Sequence, residues 1–218
     1  MPEHDPEKWE SVLGGIMLSQ QKNVESLRLR WQQDLPGHNA LFEDLCARYS
    51  EPHRHYHTVE HLTALFAALD PFDLRDPRAV HLAAWYHDAI YDTACADNEE
   101  RSAALAREAL AGLIDSPRVE HMILATKSHT VPPADADEAL FLDADFSILG
   151  APAPRYAAYA AEVRAEYGWL PDEGWRAGRL AFLTKAAAAP RLFHTDDFEL
   201  RLGAQARTNI AWEMAQLA

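Results

Sequence analysis

Helix-start signals recur along this chain of 218 residues and constrain its fold more than any other feature. At three predicted helix starts a capping side chain is followed directly by proline, namely at Asp5-Pro6, Asp76-Pro77 and Ser116-Pro117. Proline suits the first turn of a helix, where its missing N–H is not needed, and Asp or Ser before it can accept a hydrogen bond from a free N–H group. Strand signals are nearly absent. The sequence therefore predicts an all-α fold, arranged as an irregular helical bundle.

Apolar residues at helical spacing predict where the helices lie. One helix begins near residue 61, and another begins after Asp76 and carries His87-Asp88. The other predicted helical ranges are 6–16, 23–35, 40–49, 99–113, 119–129, 155–167, 172–189 and 195–217. Residues 139–149 form an apolar stretch interrupted by two aspartates, and residues 150–154, rich in Pro and Ala, read as a linker too short to prove a domain boundary. The length fits one domain, or one domain with an appendage.

Composition excludes several classes of function. No apolar run approaches the roughly 20 residues that cross a bilayer, so the sequence predicts no membrane association. The formal net charge of −14 argues against a nucleic-acid polymer as partner. It does not exclude a phosphorylated small molecule, because a bound dication can reverse the local field. Cys46 and Cys95 lack disulfide-framework or CxxC spacing, and no secretory signal is recognisable, so we expect a cytoplasmic protein.

His87-Asp88 lies in an apolar segment, where polar side chains are costly. On a helix the two would project about 100° apart and could reach one metal ion between them, with Asp92 on the same face as Asp88. Imidazole and carboxylate together suit divalent ions such as manganese, iron, cobalt or zinc. A structural His–Asp contact is the simpler interpretation of an isolated pair, so further ligands are needed.

Partners for the pair can be found on both sides of it. His57 and His61 are four residues apart and would share a helical face, although such a pair can also be a surface feature. Asp145 lies among apolar neighbours, where a lone carboxylate would be expensive. Asp143 would point elsewhere on a helix, so we expect it to be a cap or a supporting residue, with a ligand role as the alternative. Two histidines and two carboxylates would make a plausible octahedral set.

The pattern His61, His87-Asp88, Asp145 resembles the H…HD…D signature of the HD-domain metal-dependent phosphohydrolases, a helical superfamily, over residues 50 to 150. The segment 56–61, Tyr-His-Thr-Val-Glu-His, is similar to the YHNxxH segment of the cyclic-nucleotide phosphodiesterases, and the segment 144–147, Ala-Asp-Phe-Ser, to their ADLS segment. The whole chain looks most like small bacterial predicted HD-superfamily phosphohydrolases. The resemblance implies one HD-type helical domain over 1–218, with its motif-bearing core at about 50–150 and helices in 155–218 packed on it.

The resemblance also implies roles for single residues. It makes His61, His87, Asp88 and Asp145 ligands of a divalent ion, which could be manganese, iron, cobalt, magnesium, zinc or nickel, and His57 a general acid. Thr58 replaces the asparagine of the phosphodiesterase segment, and nothing after Asp145 resembles that family's nucleotide pocket, so cyclic-nucleotide hydrolysis is not inferred. We expect one tightly held ion, with a second left open.

Other residues are candidates for substrate and proton handling. Asp92 is the alternative to His57 for the proton on the leaving oxygen. Arg54 and Lys127 could bind substrate phosphate or form salt bridges with acidic neighbours. Of His121 and His129, we expect only His129 to point inward, and place it among the substrate contacts. Six aromatic residues could wall a substrate pocket, although their spacing favours core packing: Tyr156, Tyr159, Tyr167, Trp169, Trp175 and Phe182.

These predictions converge on a metal-dependent phosphohydrolase that cleaves a phosphomonoester or phosphodiester of a small molecule, with a nucleotide as one option. Activation of water by the metal would supply the nucleophile. Two alternatives stay open. One is an oxygenase with a dinuclear iron centre, which some HD proteins hold, and the other is a ligand sensor without turnover. The sequence leaves homodimerisation open.

Overall fold

The structure, a computed structural model, describes residues 21–114, 116–128 and 133–218. All regular structure within these ranges is helical, so the all-α prediction is confirmed. The helices are α1 (21–34), α2 (Asn39–Arg48), α3 (Val59–Leu69), α4 (Pro77–Tyr86), α5 (Asn98–Ala109), α6 (Pro117–Ala125), α7 (Ala136–Phe146), the short 3-10 helix η1 (Ser147–Gly150), α8 (Ala153–Glu166), α9 (Asp172–Ala188) and α10 (Asp196–Leu217).

Helix α4 lies at the centre of the bundle, where it packs against α3, α5, α6 and α7. Its side chains from Leu82 to Tyr86 are all buried. Trp85 packs edge-on against Trp31 and Phe42, with ring centroids 5.3 and 6.0 Å away, and its indole N–H donates to Asp34 at 3.0 Å. The indole polar group is thus satisfied inside the core, and α4 provides a rigid support for the residues that follow it.

Capping side chains fix several helix starts. Asp76 accepts a hydrogen bond from the Ala79 N–H, as predicted. Thr58 accepts from the Glu60 N–H at the start of α3, and Thr195 accepts from the Phe198 N–H at the start of α10. The predicted cap Ser116 makes no bond to the backbone of α6. Its hydroxyl instead donates to the Glu120 carboxylate at 3.0 Å.

Two predicted helix ends are wrong, and so is the expectation that His57 shares a helical face with His61. Helix α4 ends at Tyr86, so His87-Asp88 follows the helix instead of lying within it. Helix α3 begins at Val59, so His57 precedes it. Helix α5 ends at Ala109, not at 113, and the chain turns away through Gly112, which has φ 74°. A residue with a Cβ would be strained at that φ, which explains the glycine.

The last three helices close one side of the bundle. Helix α10 packs against η1, α8 and α9. Arg179 of α9 donates to Glu213 of α10 at 2.7 Å, and the Tyr156 hydroxyl of α8 donates to the same carboxylate. The predicted linker is packed too: a Cβ on Gly150 would lie 2.5 Å from the Leu202 Cβ, so only glycine allows η1 to approach α10 this closely.

Some predictions fall outside the described residues. The helix predicted at 6–16 with its cap at Asp5-Pro6 is one, and the inward-pointing His129 is another. Within the part of the chain that the structure describes, no helix combines the length and the apolar character needed to cross a bilayer.

Candidate active site

Three separate elements bring the predicted ligands to one point. His61 lies in the first turn of α3, His87 and Asp88 follow the end of α4, and Asp145 lies in the last turn of α7. Helix α3 packs against both α4 and α7. Packing of the bundle, not local spacing, therefore assembles the cluster.

The donor atoms of this cluster are close together. The Nε2 atoms of His61 and His87 are 3.1 Å apart. One Asp88 carboxylate oxygen lies 3.0 Å from His87 Nε2 and 3.8 Å from His61 Nε2. The ligand atoms of these three residues all lie within 4.8 Å of one another, an arrangement that could hold a metal ion. Asp145 Oδ1 adjoins the group, at 3.1 Å from His61 Nε2 and 3.4 Å from His87 Nε2.

A backbone contact sets the orientation of the His87 ring. Its Nδ1 lies 2.9 Å from the Ala84 carbonyl oxygen. Because a carbonyl can only accept, Nδ1 carries a proton and donates it there, and Nε2 faces the cluster. An outward N–H bond to a carbonyl is the usual support of a metal-binding histidine.

The electrostatic environments of the two histidines in the cluster differ. Burial lowers the pKa of His61, although Asp145 opposes that shift. Burial acts in the same direction on His87, but the nearby Asp88, Tyr49 and Asp145 outweigh it and raise the pKa of His87 well above its ordinary value. The pKa of Asp88 is lowered because His87 and His57 outweigh the cost of its burial. The carboxylates thus create a negative centre lined by two imidazole rings.

His57 lies beside the cluster and is held by a residue that the sequence did not suggest. Its Nδ1 lies 2.8 Å from a carboxylate oxygen of Glu166, at the end of α8. Its Nε2 lies 3.9 Å from Asp88, and its ring stacks on Tyr91 with centroids 4.1 Å apart. Burial opposes a charge on His57, but Asp88 and Glu166 outweigh it and raise its pKa.

Glu166 is held by an unusually complete set of donors. Its Oε1 accepts the backbone N–H groups of His55, Tyr56 and His57 at 2.8 to 2.9 Å. Its Oε2 accepts from His57 and, at 3.0 Å, from the Tyr91 hydroxyl. Burial opposes ionisation, but these bonds and the His57 charge lower the Glu166 pKa to about 2. The one sequence signal for it was a carboxylate on the apolar face of a predicted helix.

A cavity of about 480 Å³ opens onto the cluster. His57, Asp88 and Asp145 form its polar end. Four of the six aromatic residues singled out above line its wall, namely Tyr159, Tyr167, Trp175 and Phe182. Tyr159 and Trp175 are only 7 % exposed and also belong to the hydrophobic core. These rings therefore both line the cavity and pack in the core, the two roles that the sequence suggested. The volume lies in the range of small-molecule sites.

Arg54 does not face this cavity. Its side chain is completely buried, and its guanidinium donates to Glu51 and to the carbonyl groups of His57, Asp88 and Ala89. With its N–H groups used in this way, Arg54 fastens the two segments that carry the site. The expectation that it binds substrate phosphate is therefore corrected to a positioning role.

The other predicted contacts are placed differently. Asp92 lies beyond the end of α4, does not share a face with Asp88, and accepts from the Ala94 N–H and the Cys95 thiol. It lines a separate surface depression, so its expected role in proton transfer lacks the geometry it required. Lys127 does line the cavity, and its ammonium group donates to the Ala96 carbonyl and to Glu100. Asp143 accepts hydrogen bonds at the start of α10, in line with the supporting role expected for it.

Comparison of the chain with protein-family models, with curated proteins and with solved structures found no match. The resemblance to the HD-domain superfamily rests on His61, His87, Asp88 and Asp145, and it stays a prediction. Function has to be inferred from the chemistry of the site.

Proposed function

We propose that this chain is a metal-dependent phosphohydrolase of the HD type, which cleaves a phosphomonoester or phosphodiester of a small molecule. The observation that carries the proposal is the convergence of two imidazole nitrogens and two carboxylates at the polar end of an aromatic-walled cavity. Such mixed nitrogen and oxygen ligand sets suit manganese, iron, cobalt or zinc.

The residues present fit a divalent ion. His61, His87 and Asp88 would hold it, with Asp145 as a further ligand. The outward N–H bond of His87 to the Ala84 carbonyl supports this fit, because it leaves Nε2 as the atom facing the cluster. A bound ion would supply Lewis-acid polarisation of the phosphoryl group and activation of water near neutral pH.

The remaining steps belong to the protein's own side chains. His57 donates through Nδ1 to Glu166, so its Nε2 faces Asp88 and is the atom that delivers a proton to the leaving oxygen. Glu166 fixes the ring by bonds to three backbone N–H groups. The rings of Tyr159, Trp175 and other wall residues would hold an apolar or planar part of the substrate and exclude water.

Lys127 is the cavity residue best suited to meet an anionic group. It lies at the cavity wall, and its ion pair with Glu100 is exposed. Exposed ion pairs are weak, so this ammonium can exchange Glu100 for a phosphate oxygen. A small phosphorylated compound is therefore the partner that the charges of the site favour.

Metal analysis of the freshly purified full chain is the first test. We expect close to one equivalent of a transition metal, and phosphate release from a panel of phosphomonoesters and phosphodiesters with that metal added. Asp88→Ala should lose both the metal and the turnover. Asp97→Ala removes a carboxylate that is 63 % exposed and does not line the cavity, so it is the matched control and should keep both. Full metal-dependent activity in Asp88→Ala would contradict the proposal.

A further inference from the structure

A second cavity, of about 490 Å³, adjoins the first one. It lies where the end of α9 and the segment before α10 meet the residues that follow α6, and we call it the basic pocket. The two cavities share Lys127, Phe146 and Phe182. The basic pocket does not include His61, His87, Asp88 or Asp145, so it is distinct from the candidate metal centre.

The charge of the basic pocket is opposite to that of the chain. Lys127, Lys185, Arg191 and His194 line it, and none of its described lining residues is acidic. The whole chain carries a formal charge of −14. A group of cations around one concave surface is unexpected in a chain with this excess of carboxylates, and it creates a local attraction for anions.

The floor of the basic pocket is apolar. Phe182, Leu192 and Phe193 contribute to it together with alanine side chains. Leu192 and Phe193 are buried, at 8 % and 1 % exposure, so this floor is part of the packed hydrophobic core. An apolar floor with cations around it suits a molecule that has an apolar body and an anionic group.

Two of the cations are free to exchange partners. Lys185 and Arg191 are exposed. Arg191 pairs with Asp196, which is 86 % exposed, and such a pair is weak enough to be replaced by a bound anion. Lys185 lies in the last turn of α9, where any cation is favoured by the helix dipole. That preference does not account for Arg191, which follows the helix.

We propose that the basic pocket is a binding site for an organic anion with an apolar body. The body packs on Phe182 and Phe193, and the anionic group lies between Lys185 and Arg191. Carboxylates, sulfonates and phosphate esters of aromatic or aliphatic compounds have this chemistry. The proposal goes beyond hydrolysis at the metal centre and holds whether or not that centre turns over phosphate esters.

The test uses two fluorescent probes that differ in charge. 8-Anilinonaphthalene-1-sulfonate is an aromatic anion, and N-phenyl-1-naphthylamine is its neutral counterpart. Both are titrated into the full chain after treatment with a chelator, so the result is independent of metal and turnover. The double variant Lys185→Glu, Arg191→Glu should weaken binding of the sulfonate by about tenfold or more, because two charge-assisted contacts become repulsive. Binding of the neutral probe should stay within about twofold, because the apolar floor is unchanged.

A matched control separates a local effect from a change in net charge. The double variant Arg78→Glu, Arg176→Glu reverses two exposed arginines outside the basic pocket and lowers the net charge by the same amount. It should bind the sulfonate like the unmodified chain. Equal sulfonate binding by the Lys185/Arg191 variant and the unmodified chain would overturn the proposal. An equal loss for both probes, or for both double variants, would overturn it as well.

Discussion

Two aspartates on opposite faces of α7 have different roles, although they are only two residues apart. Asp143 is 1 % exposed, and its oxygens accept the N–H groups of His194 and Thr195 and the Thr195 hydroxyl at 2.6 to 2.7 Å. Asp145 faces the histidines of the candidate metal centre, and its side chain is 14 % exposed. Two helical residues separated by one position project roughly 200° apart, so one helix serves both the fold and the site.

The comparison distinguishes two uses of a carboxylate below the surface. Where every oxygen is matched by N–H or O–H donors, as at Asp143, the group fastens one segment to another. Where the neighbours are ring nitrogens that can also bind a cation, as at Asp145, the carboxylate can act as a further ligand of that cation. Glu166 combines the two, because one oxygen accepts backbone N–H groups and the other holds His57.

Loss of Asp145 should have the largest effect on activity. Removing a residue that only supports a metal ligand costs roughly 10- to 100-fold in affinity. We therefore expect Asp145→Ala to lower metal affinity by about 100-fold or more, with a comparable loss of phosphate release. Its melting temperature without metal should change little, because the lost attraction to the two histidines is offset by the lost repulsion between the Asp145 and Asp88 carboxylates. Isothermal titration with manganese and thermal unfolding measure the two quantities.

An unchanged metal affinity in a correctly folded Asp145→Ala variant would contradict the comparison, because neither aspartate of α7 would then contribute to metal binding. Asp145→Asn refines the result. The amide keeps the size of the side chain and removes its charge, so a similar loss in both variants would assign the effect to the carboxylate charge.

The next largest effect is expected at Glu166. In Glu166→Gln the amide oxygen can still accept the three backbone N–H groups, but the NH₂ group would face His57 Nδ1. Nδ1 of His57 would then have to accept a hydrogen bond from this amide, so the ring proton moves to Nε2. The charged imidazolium form of His57 also loses the carboxylate that stabilises it. We expect kcat to fall by roughly 100-fold or more, the scale of general acid–base catalysis.

Metal content and KM should change little in Glu166→Gln, since the ligands are untouched. His57→Ala is the matched variant, and combining the two should cost no more than His57→Ala alone. Additive losses would show that Glu166 acts on something other than His57.

Much of this arrangement could be predicted from local sequence signals. Helical periodicity and the Asp76 cap located most of the described helices, although not all of their ends, and the resemblance to the HD signature selected four residues that the fold brings close together. The periodicity and the cap each lie within one helix or one turn. Such local patterns are what propensity and spacing can encode.

The end of α4 could not be predicted because distant residues stop the helix. The segment after Tyr86 has no glycine or proline before position 95. Arg54 takes the carbonyl groups of Asp88 and Ala89, and the Ser102 hydroxyl accepts the Ile90 N–H, so the groups needed for another helical turn are already used. Glu166 was missed for the same reason: it lies 109 residues from His57.

Loss of Asp143 should affect stability more than function. Asp143→Ala leaves the buried donors of His194 and Thr195 without their acceptor, at a cost of roughly 3 kcal/mol. For a chain of this length that corresponds to a fall in melting temperature of about 6–12 °C. Metal affinity of the folded protein should be preserved. Urea unfolding followed by circular dichroism measures the free energy of unfolding. A loss of metal affinity in Asp143→Ala as large as that in Asp145→Ala would contradict the separate roles of the two faces of α7.

The smallest predicted effect is at Tyr91, whose hydroxyl donates to the same Glu166 oxygen as His57. Tyr91→Phe removes that one bond and keeps the ring that stacks on His57. We expect a loss of about 1 kcal/mol in the free energy of unfolding, because one hydrogen bond to a charged acceptor is lost while others remain. Turnover should fall only a fewfold, since Glu166 keeps its three backbone donors and still holds His57 Nδ1. A fall in kcat as large as that of Glu166→Gln would mean that the Tyr91 hydroxyl itself takes part in proton transfer. Glu166 would then act in the chemistry of the site through both its partners, Tyr91 and His57, and the structural use of its second oxygen would be ruled out.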